Sequence, residues 1–185
     1  KTGKPIVLVL FTGRPLVLTE ESQLADAILN VWFPGSMAGY AVSDVLYGKV
    51  NPSGKLPMTF PRSVGQVPIY YNAKNTGRPL STENTDKCNF EKFRSNYLDE
   101  CNTPLYPFGY GLSYTNFGYS DVSVTNTKPS GNTSIEANVT LTNNGKYDGA
   151  EVVQLYVRDL VGSNTRPVKE LKGFQKVYLK AGESK

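Results

Sequence analysis

The chain has no histidine among its 185 residues. That one absence removes the usual general base near neutral pH, the usual partner of a nucleophilic serine and the commonest zinc ligand. Two cysteines are too few for a structural zinc site. No run approaches the ~20 apolar residues of a membrane helix. The stretch Ile6 to Phe11, after Lys1 and Lys4, only mimics a secretory signal, being short, without a small-residue cleavage site and not preceded by methionine. Charge of one sign is also scarce: 20 basic and 16 acidic residues leave a net +4 scattered along the chain, so neither nucleic acid nor a membrane is an expected partner. Lys169, Lys172, Lys176 and Lys180 come nearest to a basic patch, and the apolar residues between them fit a solvated sheet face.

What is present is enough for a core. The chain is 39% apolar and long enough for one ordinary domain or two small ones. Ile6-Val7-Leu8-Val9-Leu10-Phe11, bounded by Pro5 and Gly13, reads as a strand buried on both faces, which points to a parallel sheet covered by helices. Thr12-Gly13-Arg14-Pro15 then turns the chain where open α/β sheets gather ligands, although a plain tight turn reads equally well. Thr19-Glu20-Glu21-Ser22 resembles a helix start or connection, and Ala27 to Phe33 a second short strand ending at Pro34-Gly35. Met37, Ala38, Ala41, Val42, Val45 and Leu46 share one helical face, with Ser36 placed to cap the start and Gly48 to end it. Asp44 beside that face fits a surface or salt-bridged role.

Asn51-Pro52-Ser53-Gly54-Lys55 is not a phosphate loop, because five residues separate Gly48 from Gly54 and Leu56 stands where Ser or Thr should bind magnesium. It reads as a turn into a strand over Leu56 to Phe60. Residues 61 to 103 lack sustained periodicity, and a segment of that length is either functional or a strap between domains. Within it, Asn75-Thr76-Gly77-Arg78-Pro79 holds a guanidinium near a turn, so Asn75 and Arg78 are candidate substrate contacts at a cleft edge. Tyr70 and Tyr71 either pack beneath that turn or line a sugar site. Cys88 and Cys101 are either two buried thiols or a disulfide, which in an oxidising compartment would contribute about 3 kcal/mol.

Pro104 to Phe117 is a joint. Its two prolines stop regular elements, its glycines open other backbone angles and its five aromatics need burial. Beyond it, Ile135, Ala137, Val139 and Leu141 alternate with polar residues as in a half-buried strand, and Asn143-Asn144-Gly145 signals a hairpin. Val153, Leu155 and Val157 read as the inner face of the next strand, and Asp121 to Thr125 and Phe174 to Leu179 as two more. Short strands at this spacing indicate a β-sandwich. Ala181 to Lys185 resembles a turn that another strand should follow, so the sandwich reads as truncated. Asn132-Thr133-Ser134 and Asn138-Val139-Thr140 fit the N-glycosylation pattern, the second awkwardly, since it falls on a strand.

The wording Pro104-Leu105-Tyr106-Pro107-Phe108-Gly109-Tyr110-Gly111-Leu112-Ser113-Tyr114-Thr115-Asn116-Phe117 closely resembles the junction of bacterial glycoside hydrolase family 3 enzymes, the β-glucosidases and β-xylosidases. Thr12 to Pro15, Trp32 to Gly35, Asn51 to Pro61 and Arg166 to Phe174 resemble the same family in the same order. The resemblance implies an α/β plus all-β chain. Residues 1–65 would be the end of an α/β sandwich domain, 66–115 a strap and junction, and 116–185 a fibronectin type III-like domain. It also implies a periplasmic or secreted enzyme that releases terminal β-D-glucosyl residues with retention, using two carboxyl groups and no cofactor. In the family, the nucleophilic aspartate and the acid/base glutamate both lie upstream of these motifs, and no position here matches either.

The carboxylates that are present are sequence neighbours, Glu20 with Glu21 and Asp99 with Glu100, whose side chains diverge. The chain is therefore expected to be inactive alone. Its expected partners are a β-linked oligosaccharide or glycoside and the upstream catalytic domain of its own polypeptide. Apolar surface left by a missing half of the α/β layer predicts self-association, a homodimer included. The alternative is a non-catalytic carbohydrate-binding or adhesion module with Trp32 or Tyr156 as a stacking platform; an independent hydrolase lacks its carboxylate pair.

Overall fold

A computed structural model describes residues 3–81, 88–125 and 134–185, and Asn132 and Thr133 of the first glycosylation triplet lie outside them. The chain divides into two compact units, one of Lys1–Ser43, Lys55–Gly111 and Gln154–Phe174, the other of Asp44–Gly54, Leu112–Val153 and Gln175–Lys185.

The first unit opens with a parallel βαβ turn. Strand β1 (Val7–Leu10), helix α1 (Thr19–Leu24) and strand β2 (Ala27–Asn30) follow in order, with β1 and β2 in register from Val7 opposite Ala27 to Leu10 opposite Asn30. Asp26 secures the approach, its Oδ2 accepting from the Ile6 amide at 2.7 Å. The sheet is parallel as its apolar composition predicts, but β1 is not covered on both faces. Ile6 and Val7 are about half exposed, and no residue of α1 or of helix α2 (Ala38–Leu46) is buried. Helix α2 starts two residues later than Ser36, after Gly35 in the left-handed region. It ends as expected at Gly48, also left-handed, whose amide reaches the Val45 carbonyl. Its Asp44 pairs with Lys49 at 3.2 Å.

The expected strand Leu56 to Phe60 does not form a ladder. Pro57 and Pro61 remove donors, and only one bridge remains, Phe60 opposite Tyr106, with Leu56 and Phe60 bonded to the backbone of the joint. Phe60 is 1% exposed and meets the rings of Trp32 and Tyr106 edge-on, which makes it the centre of this core. The aromatics of the joint are used as predicted: Phe108 stacks on Tyr71 at 4.1 Å, and Tyr106 on Tyr110 at 5.4 Å.

The second unit is built from short antiparallel ladders. Strand β3 (Phe117–Tyr119) pairs with β6 (Leu141–Asn143), and β4 (Ser123–Val124) with β5 (Ala137–Asn138). Strands β7 (Gly149–Val157) and β8 (Glu170–Leu179) pair with each other and run through both units. The single strand expected across 134–142 is thus broken in two. Ser120 makes the break by bonding Thr140 twice, from its amide to the carbonyl and from the Thr140 amide to its own hydroxyl, each at 2.9 Å. Of the predicted inner face only Leu141 is buried, and Ile135 is exposed.

Asn143-Asn144-Gly145 is not a hairpin turn either, since β6 pairs with β3 and not with β7. Asn143 instead turns its own chain, its Oδ1 accepting from the Gly145 amide. Strand β7 also has the reverse phase. Leu155, at 49%, and Val157 are exposed, while Gln154 and Tyr156 face the interior because their polar ends find partners there. After the turn at Gly182 the chain does continue in extended pairing: Leu141 and Lys185 exchange both backbone bonds at 2.8 Å.

Candidate functional site

The first unit contains a cavity of about 580 Å³ lined from residues 73–80, Ser95, residues 102–107 and the loop before β8. Nothing in these stretches has a repeating apolar pattern, so their shape depends on side chains that bond backbone. Gln66, 1% exposed, accepts from the Arg62 amide through Oε1 and donates through Nε2 to the Cys101 carbonyl, both at 2.7 Å. Arg62 Nε donates to the Thr103 carbonyl at 2.9 Å. Asn96 accepts from the Glu91 amide and donates to its carbonyl, while Ser81 donates to the Glu91 carboxylate from both amide and hydroxyl. Cys88 and Cys101 are joined as a disulfide, with Cα atoms 4.2 Å apart. Cys101 directly precedes Asn102, Thr103 and Pro104, three wall residues.

The walls combine flat apolar surface from Pro79, Pro104 and Pro107 with hydroxyl and amide groups and two lysines, Lys74 and Lys169. Lys169 stands in the loop before β8 rather than on a sheet face, its ammonium 5.6 Å from the Tyr156 ring centre. Burial, and then the neighbouring Tyr71, hold the Tyr156 phenol above its ordinary pKa.

Asn75 lines this cavity. Arg78 does not: its side chain is exposed, and its carbonyl accepts from the Ser95 amide at 2.8 Å. The two residues are therefore not brought to one wall. Tyr71 is packed beneath the segment on Phe108, whereas Tyr70 is exposed. Composition drew attention to Asn75 and Arg78, but nothing in the sequence marked Gln66 or Lys74. Their importance lies in partners 35 and more residues away.

Two further features sit at the carboxyl end of the parallel strands. Trp32 has a left-handed backbone (φ 52°), rare for a bulky side chain, and its ring is held against Phe60. Phe33, 83% exposed, lies over Gly13, where any Cβ would meet its ring. A smaller cavity of about 520 Å³ in the second unit is lined by Lys49, Asn51, Tyr114 and Asp148 among others. Among the described residues the larger cavity has no carboxylate in its walls and the smaller only Asp148, so neither offers the pair that glycoside hydrolysis needs.

The glycosyl hydrolase family 3 C-terminal domain matches residues 1–114, and the fibronectin type III-like domain matches residues 151–185. The chain belongs to glycoside hydrolase family 3. This family 3 chain is 55% identical over its whole length to a periplasmic beta-glucosidase of Salmonella typhimurium, covering 23% of that protein. It is 45% identical to a beta-xylosidase of Formosa agariphila, again over its whole length and 24% of the relative. A crystal structure of beta-glucosidase from Listeria innocua superimposes with a TM-score of 0.91 at 47% identity, over 99% of this chain and 25% of that one. The chain thus spans about a quarter of the length of the relatives it matches. Its fold class is α/β plus all-β, as the sequence motifs imply.

Proposed function

We propose that this chain is the C-terminal portion of a retaining, exo-acting β-glucosidase acting on terminal β-D-glucosyl residues, in the periplasm or outside the cell. The 55% identity over the full chain to a protein named as a periplasmic beta-glucosidase carries this reading. The nucleophilic aspartate and acid/base glutamate belong to the rest of that polypeptide, and the present chain supplies scaffold and one edge of the substrate cleft. Within it, residues 1–65 act as α/β layer, 66–115 as strap and 116–185 as fibronectin-like support. Asn75, on the cavity wall, and Arg78, on the exposed turn three residues on, are separate substrate contacts at the cleft edge, and the chain partners the catalytic domain of its own polypeptide. A homodimer is consistent with the exposed apolar side chains Phe33, Met37, Tyr40 and Tyr47.

The beta-xylosidase relative at 45% identity favours xyloside as the second substrate to try. A sugar-stacking module is disfavoured, because Trp32 and Tyr156 are half-buried against Phe60 and Tyr71 instead of forming an open platform. The deciding experiment assays aryl β-glucoside and β-xyloside with the chain alone and with its whole parent reading frame. Activity is expected only in the longer protein and greater on glucoside; activity in the short chain would overturn the scaffold role. In the longer protein, Arg78→Ala is expected to raise KM for disaccharide while leaving that for aryl glucoside unchanged.

A further inference from the structure

The two lysines of the larger cavity stand on paired backbone. Lys74 is opposite Pro167 in an antiparallel bridge, and the Val168 amide donates to the Ala73 carbonyl at 2.9 Å. Lys169 is two residues beyond Pro167, so the two lysines enter the cavity from adjoining backbone segments. Both line the cavity, no carboxylate does, and neither ammonium has an acidic partner among the described residues. Both lysines are exposed, and no carboxylate of the cavity wall neutralises them. The remaining polar groups, from Asn75, Thr76, Ser95 and Asn102, are neutral amides and hydroxyls suited to sugar hydroxyls, and the prolines offer flat apolar surface. The volume of about 580 Å³ lies within the range of small-molecule sites.

We infer that this cavity binds a carboxylate-bearing sugar, a hexuronate unit, with the carboxylate between Lys74 and Lys169. The inference extends the glycosidase reading to acidic glycans but stands apart from it, because binding is measured on this chain without catalysis. Saturation-transfer NMR and calorimetry on the 185-residue chain at low salt, with glucuronate, glucose, acetate and inorganic phosphate as separate probes, test it. Glucuronate is expected to bind at least about fivefold more tightly than glucose or acetate, and to weaken as salt rises. Lys74→Met and Lys169→Met are each expected to lower its affinity about fivefold, with Lys74→Arg retaining most of it.

Equal affinity for glucose and glucuronate would overturn the inference. So would phosphate or acetate binding as tightly as glucuronate, which would mean an unselective cationic surface, or no glucuronate binding tighter than about 10 mM. If the methionine variants do not fold by circular dichroism, the four-probe comparison on the unaltered chain still decides. Failure of this inference leaves the glucosidase assay untouched, since that assay reads neutral substrates.

Discussion

Gln66 in the first unit and Asn143 in the second are both closed to solvent, and each bonds backbone that its neighbouring ladders leave unpaired, yet they serve different kinds of structure. Asn143 ends a strand. Its Oδ1 accepts from the Thr115 hydroxyl and the Gly145 amide while its Nδ2 donates to the carbonyls of Tyr147 and Leu179, so one side chain joins the turn after β6 to the end of β8. Gln66 instead ends a short 3-10 turn (Val64–Gln66) and grips a segment with no regular structure, through the Arg62 amide and the Cys101 carbonyl. The difference teaches that an amide can replace ladder bonds at a strand end or within an aperiodic strap. The strap also carries a covalent tie, the Cys88–Cys101 bond.

The largest effect is expected at Asn143. Asn143→Ala leaves four polar groups without their partner, two of those bonds buried and two part-buried, which should cost about 3–5 kcal/mol, read as a lower urea midpoint by far-ultraviolet circular dichroism. Next is the disulfide. Cys88→Ser with Cys101→Ser, opening a bond between residues 13 apart, should cost about 3 kcal/mol, followed by the fluorescence of Trp32, the sole tryptophan. Gln66→Ala should cost about 2 kcal/mol on the same Trp32 signal. Trp32 midpoints moved as far by Asn143→Ala as by the two first-unit changes would break the comparison between hubs. Unequal shifts would sharpen it.

The smallest effect belongs to Tyr119. Burial first, and then the charge and hydrogen bond of Glu151, push its phenol up to about 12. The unfolded phenol ionises near its ordinary 10, so this contribution to stability is fully present below pH 10 and is lost as pH rises from 10 to about 12. Ultraviolet titration of the chain beside its Tyr119→Phe variant should assign to Tyr119 an ionisation later than that of an ordinary phenol, and Glu151→Gln should lower its midpoint. No change in that variant would leave burial as the whole cause.

Much of the fold was legible in single stretches. The apolar run at Ile6 gave a parallel strand, the spacing from Met37 to Leu46 gave α2, and Gly48 marked its end, because each signal is local: branched residues, a 3.6-residue period, a glycine able to take φ of 72°. The motif wording also placed the chain in its family. What failed depended on partners. Leu56 to Phe60 carries strand residues, but its prolines left a single bridge, and the alternation at 153–157 held while its inward face was the other one, since Gln154 found the Gly109 carbonyl at 3.0 Å.

For the candidate site, Asn75 was legible as a wall residue only in the sense that turn-rich segments carry function. Lys74 and Lys169 were not, because 95 residues separate them and only the folded chain brings both to the wall of one cavity. The sequence by itself determined composition, local period and family, which need no partner to be read. The tertiary structure alone decided burial phase, the two amide hubs and the lysine pair, because a hydrogen bond or a close charge is a property of two groups and the chain specifies only one of them at a time.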